Sequence, residues 1–184
     1  LNPGHRYIIC EDSSASVNIT ESVVICHSVS ADVSRAPVSP FSDVPTGSWY
    51  FSDVVAAYNR GLVNGITAST YEPGSLLRIG QAIKLAACMH QLYHEGKVSI
   101  PQVSGNQWYM PYVEYALGKG IISSEYENYN ADITRAQFIE IFYRALPESE
   151  YGAINTIADG AIGDVDMSKA WAHMVYTFYR AGIL

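Results

Sequence analysis

The sequence is poor in cysteine, in positive charge and in long apolar runs, and each shortage excludes something. Three cysteines occur in 184 residues. None of Cys10, Cys26 and Cys88 stands in a C-x-x-C or Cys/His spacing, so no metal site of the zinc type is written in the chain. Cys10 and Cys26 share the N-terminal stretch and could pair if the protein is secreted, because such bonds persist outside the cytosol. Cys88 falls in a helical pattern and reads as a small buried hydrophobe. Lys and Arg number 11 against 18 Asp and Glu, a net charge of −7. With no basic run, that balance argues against nucleic acid or an anionic membrane surface as the main partner. No apolar run approaches the length needed to cross a bilayer, so no membrane insertion is expected. The chain opens at Leu1 without an initiator Met or a signal-peptide pattern, and is expected to be a trimmed or processed segment. The five histidines are scattered. Only His90 and His94 share a helix face, and with no third ligand in view they read as a solvated edge. No cofactor is implied.

What is present is a globular composition, 48% hydrophobic and 16% charged, enough for one or two domains with a real core. Tyr is frequent at 14, with three Trp. Such rings suit burial with a wet edge, and they suit contact with sugar faces.

A repeat settles the organisation. Phe41-Ser42-Asp43-Val44 stands five residues ahead of Trp49-Tyr50, and Ile100-Pro101-Gln102-Val103 stands five ahead of Trp108-Tyr109. Ile162-Gly163-Asp164-Val165 precedes Trp171 with one residue more. After each Trp comes an amphipathic helix pattern ending in Gly and aliphatics: Gly61-Leu62-Val63, Gly120-Ile121-Ile122 and Gly182-Ile183-Leu184. Glycine at that point is the usual residue that ends a helix in the left-handed conformation. A loop follows, and then a second helix, over Gln81 to His94 in the first unit and Arg135 to Leu146 in the second. The units are 41–97, 98–156 and the first half of a third at 157–184. None can cover its own apolar face, so they should pack together. Residues 1–40 differ: β-branched alternation favours strands or extended backbone, followed by a Ser/Pro-rich linker. They are expected to be an extension or the tail of an upstream module.

The second helix of unit two has the most informative start. In Ile133-Thr134-Arg135-Ala136-Gln137, a Thr followed three residues later by Gln forms a capping box ahead of an apolar run. Arg135 then falls at the first helical position, a solvent-facing cation beside free N–H groups. Together these can hold an anion.

Phe-x-Asp-Val, a following Trp, a helix ending in Gly and aliphatics, and an Ile-Thr-Arg-Ala-Gln helix start together resemble the S-layer homology domain, over roughly residues 41–184. The resemblance implies a mainly α fold in which tandem helix–loop–helix repeats pack as a pseudo-threefold bundle with grooves between neighbours. It implies a secreted protein at the cell surface, held non-covalently to secondary cell-wall polysaccharide, often through a pyruvylated terminal sugar. The residues it associates with the groove are the Asp, the Trp, the Gly after the first helix and the Arg of the capping motif. Here these are Asp43 and Asp164; Trp49, Trp108 and Trp171; Gly61 and Gly120; and Arg135 with Thr134 and Gln137. The match has gaps. Unit one has Leu77-Arg78-Ile79-Gly80-Gln81 at the capping site, so Arg78 replaces the Thr and Ile79 the Arg. Gln102 stands where unit two should have Asp.

Each of these residues has a plainer reading. The three Trp suit anchoring between repeats as well as ligand contact. Asp43 and Asp164 can brace the turn before a helix, and the Gly residues can be helix stops. The expected function is anchoring, without catalysis, to an anionic cell-wall polysaccharide. The alternative is a structural or assembly module that contacts other surface-layer subunits and has degenerate glycan sites. A glycosidase would need two inward carboxylates at defined separation, and nothing marks Asp43 or Asp164 as such.

Overall fold

The computed structural model describes residues 38–184. The expectations of an extended or strand-forming N-terminal segment and of a Cys10–Cys26 bond lie outside the described residues. Within them the fold is mainly helical: α1 (Phe51–Asn59), α2 (Ile79–Glu95), α3 (Met110–Gly118), α4 (Arg135–Tyr143), a 3₁₀ turn (Glu148–Glu150) and α5 (Ala172–Arg180). Among the described residues there is no strand, only one isolated bridge between Arg78 and Asp132.

The helices that follow the Trp residues are short and stop alike. α1, α3 and α5 each run for nine residues and give way to Gly61, Gly120 and Gly182 at φ of 73°, 71° and 71°. That left-handed conformation costs an L-residue with a Cβ about 1–2 kcal/mol, which is why glycine occupies it three times. α2 begins two residues before Gln81. α4 ends at Tyr143 rather than at Leu146: Pro147 has no N–H to bond the Tyr143 carbonyl four residues back and its ring crowds that carbonyl, while Leu146 before it is turned away from helical backbone. Its last carbonyls are satisfied from outside: the Tyr151 hydroxyl donates to Phe142 O at 2.9 Å and to Tyr143 O at 3.3 Å.

Packing is staggered by half a repeat. α2 packs on α3, the first helix of the next unit, and α4 packs on α5, again the first helix of the next. α2 and α4 also meet. The larger core holds Ile83, Ala87 and Cys88 of α2 against Val113 and Ala116 of α3, with Ile121, Ile122 and Ile141 closing it. Each large aliphatic buried here contributes roughly 1.5–3 kcal/mol. The thiol of Cys88 is pushed up to about 11 by burial, so it serves as an inert hydrophobe. A second core joins Ile139 of α4 to Met174, Val175 and Phe178 of α5. α1 has a small core of its own, with Phe41 and Val44.

The turn from α2 into unit two is held by a buried amide. Gln91 Oε1 accepts from the N–H groups of Ser99 and Ile100 at 2.7 and 3.2 Å. Its Nε2 donates to Glu95 and to Ser99 Oγ. A fully bonded side chain of this kind is tolerated inside and fixes the chain's path.

The lead-in segments of α2 and α4 pair antiparallel. Ile79 N–H donates to Ala131 O at 3.0 Å, Ile133 N–H to Leu77 O at 2.9 Å, and Gly80 N–H to Tyr129 O at 2.8 Å. The pairing draws the N-termini of both second helices to one place. Gly80 is the residue that permits it, since a Cβ there would lie 3.2 Å from Tyr129 O and 3.3 Å from Tyr109 Cβ. Ordinarily Gly→Ala inside a helix stabilises by roughly 0.5–1 kcal/mol. Gly80→Ala is expected to run the other way, destabilising by about 1 kcal/mol as the added methyl presses on backbone. Urea unfolding compared with wild type checks the sign.

Candidate functional site

The mouth of α4 is built as its residues dictate. Gln137 N–H donates to Thr134 Oγ1 at 3.3 Å, and Thr134 N–H donates to Gln137 Oε1 at 2.9 Å, a reciprocal capping box. Arg135 is the first helical residue and is exposed. Among the described residues it makes no ion pair, and it lines neither of the two grooves described next.

The mouth of α2 is half such a box. Gln81 Oε1 accepts from Arg78 N–H at 2.9 Å, but a guanidinium has no acceptor with which to return the bond. The Arg78 side chain is therefore not committed to its own helix. It lines a groove of about 470 Å³ and also the smaller neighbouring cleft that reaches Asp132. The large groove has one wall from unit one, with Leu62, Ile66 and Leu76. Its floor is α2, with Gln81, Lys84 and Leu85, and its far side is Trp108 and Asn130 of unit two. Two cations, Arg78 and Lys84, thus share a groove with an indole from the adjoining repeat, and one carboxylate, Glu72, stands at its rim. Burial holds the Lys84 ammonium below its usual range, and its Nζ lies 5.6 Å from the centre of the Tyr112 ring. A partly desolvated cation of this kind gains from an anion placed beside it.

Asp43 braces the rim. Its carboxylate accepts from Tyr71 N–H at 2.9 Å and from Glu72 N–H at 2.7 Å. These two backbone bonds hold its carboxyl below the usual value of 3.8. They also fix Glu72, the one non-glycine at positive φ (60°) among the described residues, a conformation that persists only where neighbours impose it. Asp43 therefore shapes the groove without lining it. Asp164, its counterpart, is exposed, and the interval of 28 residues that separates Asp43 from Tyr71 would run past Leu184. Gln102, the replacement in unit two, accepts from Asn64 Nδ2 at 2.8 Å and ties the units together.

The three Trp part company. Trp108 is half-buried, against the larger core and the groove. Trp171 is half-buried against the α4–α5 core. Trp49 is 86% exposed, with the Tyr50 ring edge-on to it, so the expectation that it anchors repeats is corrected. The stagger supplies the reason: the Trp of each later unit packs on the second helix of the unit before, and α1 has no such helix before it among the described residues. Gly61 and Gly120 end their helices and line neither groove. The structure thus brings Trp108 and the Asp43-braced loop to the mouth of α2, not to Arg135. Lys84 was missed in the sequence. The signal available was its i, i+3 spacing from Gln81, a polar pair interrupting the apolar pattern of α2.

The geometry defines a class: tandem helix pairs, interlocked by half a unit, with a cationic and aromatic groove at the joint. The S-layer homology domain model matches two stretches of the chain, residues 40–77 and 103–139, which fall in units one and two and are similar to repeats of that domain. The chain is also 28% identical over 114 residues to the surface-layer 125 kDa protein of Lysinibacillus sphaericus, a match covering 58% of this chain and 10% of that one. The chain thus spans about a tenth of that relative's length.

Two outcomes are expected. Thr134→Ala should lower stability by about 1 kcal/mol in denaturant unfolding, through loss of the cap. Asp43→Asn should cost stability above about pH 4, where the wild-type carboxylate is charged and bonded. The difference should vanish as pH falls through the lowered folded-state value, because the stabilisation of a depressed carboxyl is lost on protonation. Thermal melts of both proteins from pH 3 to 7 check this.

Proposed function

We propose that the chain anchors a surface protein to the bacterial cell wall by binding an anionic wall polysaccharide, without catalysis, in the groove between units one and two. The observation that carries this is the pairing of Arg78 and Lys84 with Trp108 across the joint. In a chain of net charge −7, two cations in one groove make a local site for an acidic sugar. A guanidinium offers forked donors to a carboxylate, and an indole offers a face to a pyranose ring or to the methyl of a pyruvyl ketal. Arg135, one position further into its capped helix than Arg78 in its own, is a second exposed cation at a helix start, with Thr134 and Gln137 fixing that start behind it. Trp171 packs on the α4–α5 core of the next joint, and Asp43, Gly61 and Gly120 shape loops and stops.

A second reading, a module that contacts other surface-layer subunits, is favoured by the Trp49 ring, which is 86% exposed.

Co-sedimentation with purified cell walls separates the two readings. Under the first, Arg78→Ala combined with Lys84→Ala lowers wall retention by about tenfold or more, as expected when charge-assisted bonds worth roughly 1.5–3 kcal/mol are removed. Arg135→Ala lowers it further, and walls stripped of their polysaccharide retain nothing. Undiminished retention by the Arg78/Lys84 variant would reject the groove, and retention by stripped walls would reject the polysaccharide.

A further inference from the structure

The last turns of α2, remote in sequence from the groove residues at its start, present His90 and His94 four residues apart on one face. Their ring centroids are 4.3 Å apart, with the planes inclined at 43°. His90 is half-buried, and its Nδ1 lies 2.9 Å from the Tyr115 hydroxyl on α3. His94 is exposed. We propose that this pair is a two-imidazole clamp for a late first-row divalent metal ion, Cu²⁺ or Ni²⁺, with water in the remaining coordination positions.

Three observations support the clamp. The first is spacing, since residues one helical turn apart can chelate a single ion, as two His do at this spacing in helical zinc motifs. The second is the support behind His90. Ligating imidazoles hydrogen-bond through the nitrogen that does not bind metal, which fixes tautomer and orientation. In the tautomer that donates Nδ1–H to the Tyr115 oxygen, the His90 Nε2 lone pair is left for the ion. The third is geometry. With metal–nitrogen bonds of about 2.0–2.1 Å, two imidazoles at a right angle have centroids roughly 4.5 Å apart, and at a tetrahedral angle about 5 Å. The observed 4.3 Å puts both rings within reach of one ion, and Cu²⁺ or Ni²⁺ is assigned because two nitrogens with water in the remaining positions suit their tetragonal or octahedral coordination.

Tyr93 stands edge-on to His94 at 4.9 Å. Neutral imidazole is the metal-binding form. No third His, Cys, Asp or Glu among the described residues converges on the pair, so the affinity is that of two ligands. The arrangement exists only while α2 is helical, so the ion stabilises the folded chain.

Calorimetric titration of the whole chain with NiCl₂, paired with thermal melts with and without the ion, tests this. Wild type should bind one equivalent through this pair and melt higher with Ni²⁺. His94→Ala, at an exposed position, should lose that equivalent or weaken it by about tenfold or more, and lose the rise in Tm. His90→Gln should do the same, and Tyr115→Phe should keep the site but weaken it several-fold. A Ni²⁺ isotherm and Tm rise unchanged in His94→Ala and His90→Gln would overturn the proposal, as would tighter binding of Zn²⁺ than of Ni²⁺ for the geometry assigned.

Discussion

Three backbone hydrogen bonds between residues 77–80 and 129–133 fix where the two second helices begin. The groove between units one and two lies around that short antiparallel contact. It sets the mouth of α2 against unit two, so that Trp108 and Asn130 can form the far side of a groove whose floor is α2. The contact demands a glycine, because at position 80 the backbone of one repeat lies against that of the other. Backbone pairing is well suited to this task. It sets register without needing the side chains, which are then free to diverge from one unit to the next.

That freedom has been used. At the mouth of α4, Thr134 and Gln137 complete a reciprocal cap and Arg135 stands outside it. At the mouth of α2 the Thr position is Arg78, half the cap is lost, and the guanidinium turns to the groove. A cap is worth about 1 kcal/mol, and α2 is well able to forgo it. With 17 residues and the most buried face in the fold, it is held by packing more than by its ends. α4, at nine residues, depends more on its cap.

The helices, their stops and the period were legible because glycine at positive φ, capping residues and apolar spacing are local properties. The half-repeat stagger was not, since which helix packs on which is decided by the faces of separate segments. The sequence pointed to Arg135 for the cation, with the Asp, Trp and Gly positions of each unit beside it. The groove lies at the other second helix, where the motif is broken, because a groove is made by two units and the motif records only one. Asp43 was recognised as a turn brace or a groove residue. Its bonds to Tyr71 and Glu72 make it the first, acting on the groove through the loop it holds. Trp49, in register with Trp108 and Trp171, shows that equal sequence positions meet unequal surroundings at the edge of an array.

The half-unit stagger also bears on how such a chain can grow. Because α3 docks on α2 as α5 docks on α4, the two joints between successive units among the described residues pair the same two kinds of helix. Duplication of a stretch of two helices, cut at any point, inserts an interface that already has its complement on both sides. An insertion of a single helix would set like against like and leave both without a match. Lengthening such an array by a helix pair would therefore keep a complement on both sides of the new joint, where lengthening it by one helix would not.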